Sequence, residues 1–169
     1  MPAMRLRSIL IAAALAGCGG SAKTVEQPTT PATAQTEKTL VLVDEQGVGL
    51  GGNDPVSYTQ GAPAAGAADQ TSAHGGATYQ FASAEAKAAF DADPAKFAPR
   101  FGGYCAYAAS QNRLSESDPS VFLVLDGQLL MFTNSDFLDA FQKDPAGHEA
   151  KAEANWPGLV AKHGKAGAP

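Results

Sequence analysis

Thiols are scarce in this chain. Of its 169 residues only two are cysteine, Cys18 and Cys105. That excludes a fold stapled by several disulfides. Positive charge is short as well: 12 Lys and Arg stand against 17 Asp and Glu, for a net charge of −5. An acidic chain of this kind carries no electrostatic footprint for nucleic acid. The apolar run Ile9–Leu15 falls well below the about 20 residues that a membrane-spanning helix needs. Gly47, Gly49, Gly51 and Gly52 lack the strand–helix setting and the lysine of a phosphate-binding loop. His74, His148 and His163 are scattered without metal-ligand spacing, and no Ser-His-Asp order follows from the residue positions. An enzyme is therefore the least supported class, because no complete catalytic constellation is present.

The chain opens with Arg5 and Arg7 ahead of that apolar run. A short positive segment followed by a short apolar one reads as a secretory signal. Leu15-Ala16-Gly17-Cys18 resembles the lipobox of bacterial lipoproteins. The resemblance implies cleavage before Cys18, a diacylglyceryl thioether on its sulfur and, in many bacteria, a further N-acyl chain such as palmitate. Two or more acyl chains suffice for stable anchoring. Residues 1–17 are then a leader, and the mature protein is held on a bacterial membrane in the cell envelope, facing the periplasm or the exterior. Gly19 follows the cysteine, which leaves inner and outer membrane equally open. Loss of Arg5 and Arg7 leaves ten basic residues against 17 acidic ones, a net charge of −7. Attachment then comes from lipid and not from a basic face. With Cys18 alkylated, Cys105 is the sole remaining thiol and has no intramolecular disulfide partner.

Residues 18–38 read as an acylated cysteine and a disordered tether. The stretch is rich in Thr, Pro, Ala, Gln and Ser, and Val25 is its one large apolar residue. The folded domain is expected over 39–160, roughly 120 residues and enough for one core, with a flexible tail at 161–169. Within it Thr39–Val43 reads as a strand. Gly75-Gly76 joins Gln70–His74 to Ala77–Phe81 as a hairpin, and Asp126-Gly127 joins Val121–Leu125 to Gln128–Phe132 as another. Ser83 caps an Ala-rich helix, and Asp93-Pro94 opens a short one that Pro99 ends. Ser135 caps Asp136–Lys143. Asp144-Pro145 opens a last helix reaching about Asn155, closed by Trp156-Pro157. The fold class is α+β, a small single domain of two β-hairpins with short helices. Its two hairpin-then-helix units echo each other only loosely.

Asp54-Pro55-Val56, Gly76 to Ser83, Phe90, Asp93-Pro94 and Phe97 resemble the YHS domain. Gly102 to Tyr107 and Ala154-Asn155-Trp156-Pro157 are similar to an exported bacterial subgroup of that family, some members of which carry selenocysteine. The resemblance spans about residues 45–159. It implies a treble-clef-like module, a relative of small domains that bind metal through cysteines. This chain departs from that pattern: Ser57, Ala82 and Ala86 stand where metal-binding members have cysteine. Three missing thiols argue against an inherited metal cage.

Cys105 is the sharpest candidate for chemistry. It follows Gly102-Gly103, is flanked by Tyr104 and Tyr107, and has Arg100 and Arg113 nearby along the chain. A reactive thiol needs a cation or a helix N-terminus beside it; otherwise a free cysteine is a small buried hydrophobe. His74, a turn residue on the simpler reading, is a possible partner of Cys105 in binding or base catalysis. His148 shares a helix face with Lys151, Ala152 and Asn155, a face that reads as solvent-directed. His163 falls in the tail. Asp54 reads as turn chemistry, and Tyr79, Phe81, Phe90, Phe97 and Trp156 as core. Three functions follow in order. The first is a lipid-anchored envelope binding module, redox-responsive through Cys105, with an envelope protein or small ligand as partner and Cys105, Tyr104, Tyr107 and His74 as ligand contacts. The second is a copper or zinc module using Cys105 with His74 or His148. The third is a thiol-dependent enzyme.

Overall fold

The computed structural model describes residues 38–166, so the leader, Cys18 and almost all of the tether lie outside the described residues. The domain is α+β. Its elements in order are β1 (Lys38–Thr39), α1 (Pro55–Tyr58), β2 (Ala67–His74), β3 (Ala77–Phe81), α2 (Ala84–Ala92), α3 (Pro94–Phe97), α4 (Ala106–Ser110), β4 (Asp118–Leu125), β5 (Gln128–Phe132), α5 (Ser135–Gln142), α6 (Pro145–His163) and β6 (Lys165–Ala166). Three antiparallel two-stranded ladders form: β1–β6, β2–β3 and β4–β5. None of the described helices is long and apolar enough to cross a membrane.

The loose echo is in fact a tandem repeat with a displacement of 51 residues, as from Phe81 to Phe132. Each copy opens on a tight 3-10 turn with three left-handed residues. Leu50, Gly51 and Gly52 have φ of 54, 60 and 80°, and Phe101, Gly102 and Gly103 have 52, 56 and 80°. A short helix follows, capped by Asp54 in the first copy and by Cys105 in the second. The backbone N–H of Asp54 donates to Ala64 at 2.8 Å, and that of Cys105 to Ser115 at 3.0 Å. The hairpins share their register down to the irregularity, which lies between Ala67 and Thr71 and again between Asp118 and Phe122. Phe81 meets Phe90 with ring centroids 5.1 Å apart, and Phe132 meets Phe141 at 5.2 Å. Asp93-Pro94 and Asp144-Pro145 then turn the chain alike, with φ of −151° at both aspartates.

Local chemistry accounts for most of the elements. Gly75-Gly76 and Asp126-Gly127 have positive φ at both turn positions, the requirement of a tight primed turn. Ser83 Oγ accepts from the Ala86 N–H at 3.2 Å, starting α2. Four expectations need correction. The cap of α5 is Asn134, whose Oδ1 accepts from Phe137 N–H at 2.9 Å, and Ser135 is already helical. The first strand is short, and Val43 makes only a single bridge, to Gly49. Helix α6 does not stop at Asn155 but runs through Pro157 to His163. Pro157 sacrifices one helical hydrogen bond, yet the next turn buries Leu159 in the core and Lys38 Nζ donates to the Ala161 carbonyl at 2.9 Å. The residues expected as the start of a flexible tail are therefore helix up to His163 and a strand at Lys165–Ala166.

Two cores result. The first gathers Tyr58, Tyr79, Phe81, Phe90 and Phe97, and the second Phe101, Cys105, Phe132, Phe141 and Leu159. Strand β5 serves both: Leu129 and Met131 face the first, Leu130 and Phe132 the second.

The two copies of the glycine turn predict an asymmetry. A Cβ on Gly102 would lie 2.0 Å from the Leu40 carbonyl oxygen, whereas one on Gly51 would meet only Pro119 Cγ at 3.2 Å. Both replacements carry the left-handed cost of about 1–2 kcal/mol. Gly102→Ala should add a backbone clash, so urea melts should show it clearly more destabilised than Gly51→Ala. A second expectation concerns alkali. Burial pushes Tyr58 and Tyr79 each up to about 12, against about 10 in an unfolded chain. The folded state holds these protons more tightly, so this stabilisation is intact below about pH 10 and is lost as pH rises toward 12. Unfolding free energy should fall over that interval, and a Tyr58→Phe, Tyr79→Phe double variant should show a shallower fall.

Candidate functional site

A cleft of about 200 Å³ opens between α4 and α5. Tyr107 and Ala108 of α4 form one side and Phe137 of α5 the other; Thr133, just past β5, lies at the base, and Gln111, Arg113, Leu114 and Ser115 come from the loop after α4. Asn112 ends the helix in the left-handed region, at φ 54°, a conformation asparagine tolerates better than most residues. The Arg113 N–H returns to the Ala108 carbonyl at 2.9 Å, which brings the loop back over the helix. Thr133 Oγ1 donates to the Glu116 carbonyl at 2.7 Å. Its hydrogen is thereby used, so the 2.9 Å contact with Ser115 has Ser115 Oγ as donor. The Tyr107 and Phe137 rings lie 5.3 Å apart and tilted, one from each wall.

Cys105 lies behind this cleft and not in it. None of its surface reaches solvent. Its Sγ sits 3.5 Å from the Ala108 N–H and its own N–H is bound to Ser115, so two of the residues it touches line the cleft. The thiol occupies the capping position that Asp54 fills in the first copy. There the carboxylate accepts from Val56 N–H at 2.8 Å and from Ala82 N–H at 3.0 Å. Asp54 is thus a buried structural acceptor. Arg100, one of the two cations close to Cys105 in sequence, is engaged by Glu149 and Glu153. Arg113 lines the cleft.

The histidines do not assemble around the thiol. His74 ends β2 and packs edge-on against Phe90 at 6.0 Å, in the first core. His148 Nδ1 lies 3.2 Å from Ser110 Oγ. That hydroxyl donates to the Tyr107 carbonyl at 2.7 Å and accepts from Gln111 Nε2 at 3.0 Å. With its one hydrogen committed, Ser110 accepts from His148, which assigns the proton to Nδ1. The ring also stacks on Phe141 at 5.7 Å and meets Tyr107 edge-on at 5.1 Å. The face of α6 that carries His148 is therefore not directed to solvent: Ala152 is fully buried and Asn155 Nδ2 donates to the carbonyls of Ala109 and Ser110 at 3.0 and 3.3 Å. Among the described residues no group of three or more His, Cys, Asp or Glu gathers as a metal site would require.

Of the anticipated ligand contacts, only Tyr107 lines the cleft. Tyr104 faces another, of about 350 Å³, beside Leu40–Val43, with its ring 6.3 Å from Trp156. Gln111, Leu114, Ser115, Thr133 and Phe137 carried no motif of their own. Superposing the sequence on itself at the 51-residue displacement sets Leu114, Ser115, Thr133 and Phe137 apart from Pro63, Ala64, Ala82 and Ala86, whereas Gln111 repeats Gln60.

The burial of Cys105 predicts its chemistry. In a Cys18→Ser chain a bulky thiol reagent should label Cys105 only through opening of the domain, and readily in denaturant. Cys105→Ser should cost about 1–3 kcal/mol, because it places a hydroxyl in an apolar core. Labelling of the native protein as fast as that of a free thiol would contradict this arrangement.

No family model, curated protein or solved structure matches the chain.

Proposed function

We propose that the protein is a lipid-anchored binding module of the cell envelope, of the YHS type, with the cleft between α4 and α5 as its ligand site. The observation that carries this reading is the cleft itself. It has a polar loop on one side and two aromatic rings from opposite walls. The YHS resemblance adds a positional argument. Metal-binding members place cysteines at positions held here by Ser57, Ala82 and Ala86, and the same positions in the second copy are Ala108, Thr133 and Phe137, all three on the cleft. The ligand site would thus lie in the second copy at the place where relatives hold metal in the first, with the thiols replaced. A treble-clef-like ancestry belongs to the same proposal.

The anchor rests on Leu15-Ala16-Gly17-Cys18 and the leader before it. A redox-responsive form of the module requires Cys105 to reach solvent or ligand, and its complete burial stands against that. The copper or zinc alternative lacks a gathered ligand set among the described residues.

Two measurements test the proposal. Cells fed labelled palmitate should incorporate label into the wild-type protein and not into Cys18→Ser; an unlabelled wild type discards the anchor. Protein purified without chelator should carry no stoichiometric copper or zinc and show no thermal shift when either is added. A saturable shift that disappears in His148→Ala or His74→Ala would replace the binding-module reading with the metal one.

A further inference from the structure

The tandem repeat supplies an internal control for the cleft. Both copies build the same turn, capped helix, returning loop, hairpin and second helix. Bulk that the scaffold itself demands at a position should therefore be present in both copies, and a large side chain whose counterpart is small supplies something the scaffold does not need. Gly51-Gly52, Phe81, Phe90 and Asp93-Pro94 do recur, as Gly102-Gly103, Phe132, Phe141 and Asp144-Pro145. Seven of the eight cleft residues do not, Gln111 alone repeating its counterpart Gln60, and four of the seven differ most in size. Where the second copy has Tyr107, Arg113, Leu114 and Phe137, the first has Val56, Ala62, Pro63 and Ala86. The first copy folds with a smaller residue at each of these positions, so the scaffold does not require the larger ones.

What those four supply is specific. Tyr107, Leu114 and Phe137 are each left half-buried at the cleft, apolar surface that a ligand would cover. Arg113 is exposed and makes no ion pair among the described residues, whereas Lys87 and Arg100 are both paired. No acidic side chain lines the cleft. Arg113 and Leu114 also border a neighbouring groove, lined further by Lys162 and His163 and again by no carboxylate. In a chain of net charge −5 this is a local concentration of positive charge. A guanidinium offers a planar pair of N–H donors that fits a carboxylate at both oxygens.

We propose, on top of the binding-module reading, that this cleft selects a small organic anion: a carboxylate on an aromatic or branched apolar body. The body lies on the exposed faces and edges of the touching Tyr107 and Phe137 rings, against Leu114, and the carboxylate pairs with Arg113 at the rim.

Benzoate, benzamide, benzylamine and inorganic phosphate are suitable probes, titrated into the full chain and followed by NMR at Ser115 and Phe137. Benzoate should bind saturably. Benzamide, of the same shape and uncharged, should bind at least tenfold more weakly, as should benzylamine and phosphate. Arg113→Gln should weaken benzoate about tenfold while leaving benzamide unchanged. Phe137→Ala, which restores the first copy's residue, should weaken both probes and leave the protein folded. Equal affinity for benzoate and benzamide in the wild type would overturn the anion preference and keep the binding-module reading. Phosphate binding as well as benzoate would overturn the apolar body. No saturable binding of any probe would remove both proposals. The benzoate–benzamide comparison uses only the wild type, so a misfolded variant does not blunt it.

Discussion

Strand β5 is the wall on which the molecule depends. Its Leu129, Leu130, Met131 and Phe132 are at most 1% exposed, and alternate residues enter different cores. Most antiparallel strands in a small domain bury one face and wet the other. This one is dry on both, and each of the four side chains contributes about 1.5–3 kcal/mol of transfer free energy. Its partner β4 divides in the same way, with Phe122 and Val124 on the first core and Val121, Leu123 and Leu125 on the second. A strand apolar on both faces cannot set its own register, because a slip by one residue still presents apolar side chains to each core. Register must come from elsewhere. The Asp126-Gly127 turn supplies it at one end and the irregularity between Asp118 and Phe122 at the other.

The repeat explains Cys105 without recourse to reactivity. Both copies need something at the start of the short helix after the glycine turn. The first uses a carboxylate that accepts two backbone N–H groups and ties α1 to the end of β3. Charged acceptors of this kind are worth about 1.5–3 kcal/mol per bond. The second uses a thiol, a weak acceptor, and recovers stability by packing it with Phe101, Leu130 and Phe132. One position has a polar solution in one copy and an apolar solution in the other.

The parts of the fold that were legible in the sequence are those fixed by neighbours along the chain. Gly75-Gly76, Asp126-Gly127, Ser83, Asp93-Pro94 and Asp144-Pro145 each act within a few residues, and the elements they start or join appear where expected. Elements fixed by distant contacts were not legible. Helix α6 continues past Pro157 because of Leu159 and Lys38, and a local reading of Trp156-Pro157 has no access to either. Helices α1 and α4 are four and five residues long, too short for a periodic signal. The 51-residue repeat rests on glycines, phenylalanines and two Asp-Pro pairs, while the side chains between them diverged. The site suffered most. Of the cleft lining, Tyr107 and Arg113 stand out in the sequence beside Cys105, while Leu114, Ser115, Thr133 and Phe137 carry no motif and are brought to the cleft by the fold.

The histidine still has a part to play, though not as a ligand. The copies diverge where α3 stops at Phe97 and α6 continues, and His148 stands in the place of Phe97. An imidazole packs there as a phenyl does, against Phe141, and in addition donates to Ser110. Ser110 holds the Tyr107 carbonyl, and Asn155, two turns further along α6, holds those of Ala109 and Ser110. A helix as short as α4 leaves its last carbonyls without partners of its own. The N–H groups of Gln111, Asn112 and Arg113 return to those of Tyr107, Ala108 and Ala109, and Asn155 of α6 adds a donor to Ala109 and Ser110, tying the wall that carries Tyr107 to α6. The first copy has only the four residues of α3 at this place and small side chains at the matching positions. Lengthening the second helix thus adds Asn155 behind the aromatic wall of the cleft, a support the first copy lacks.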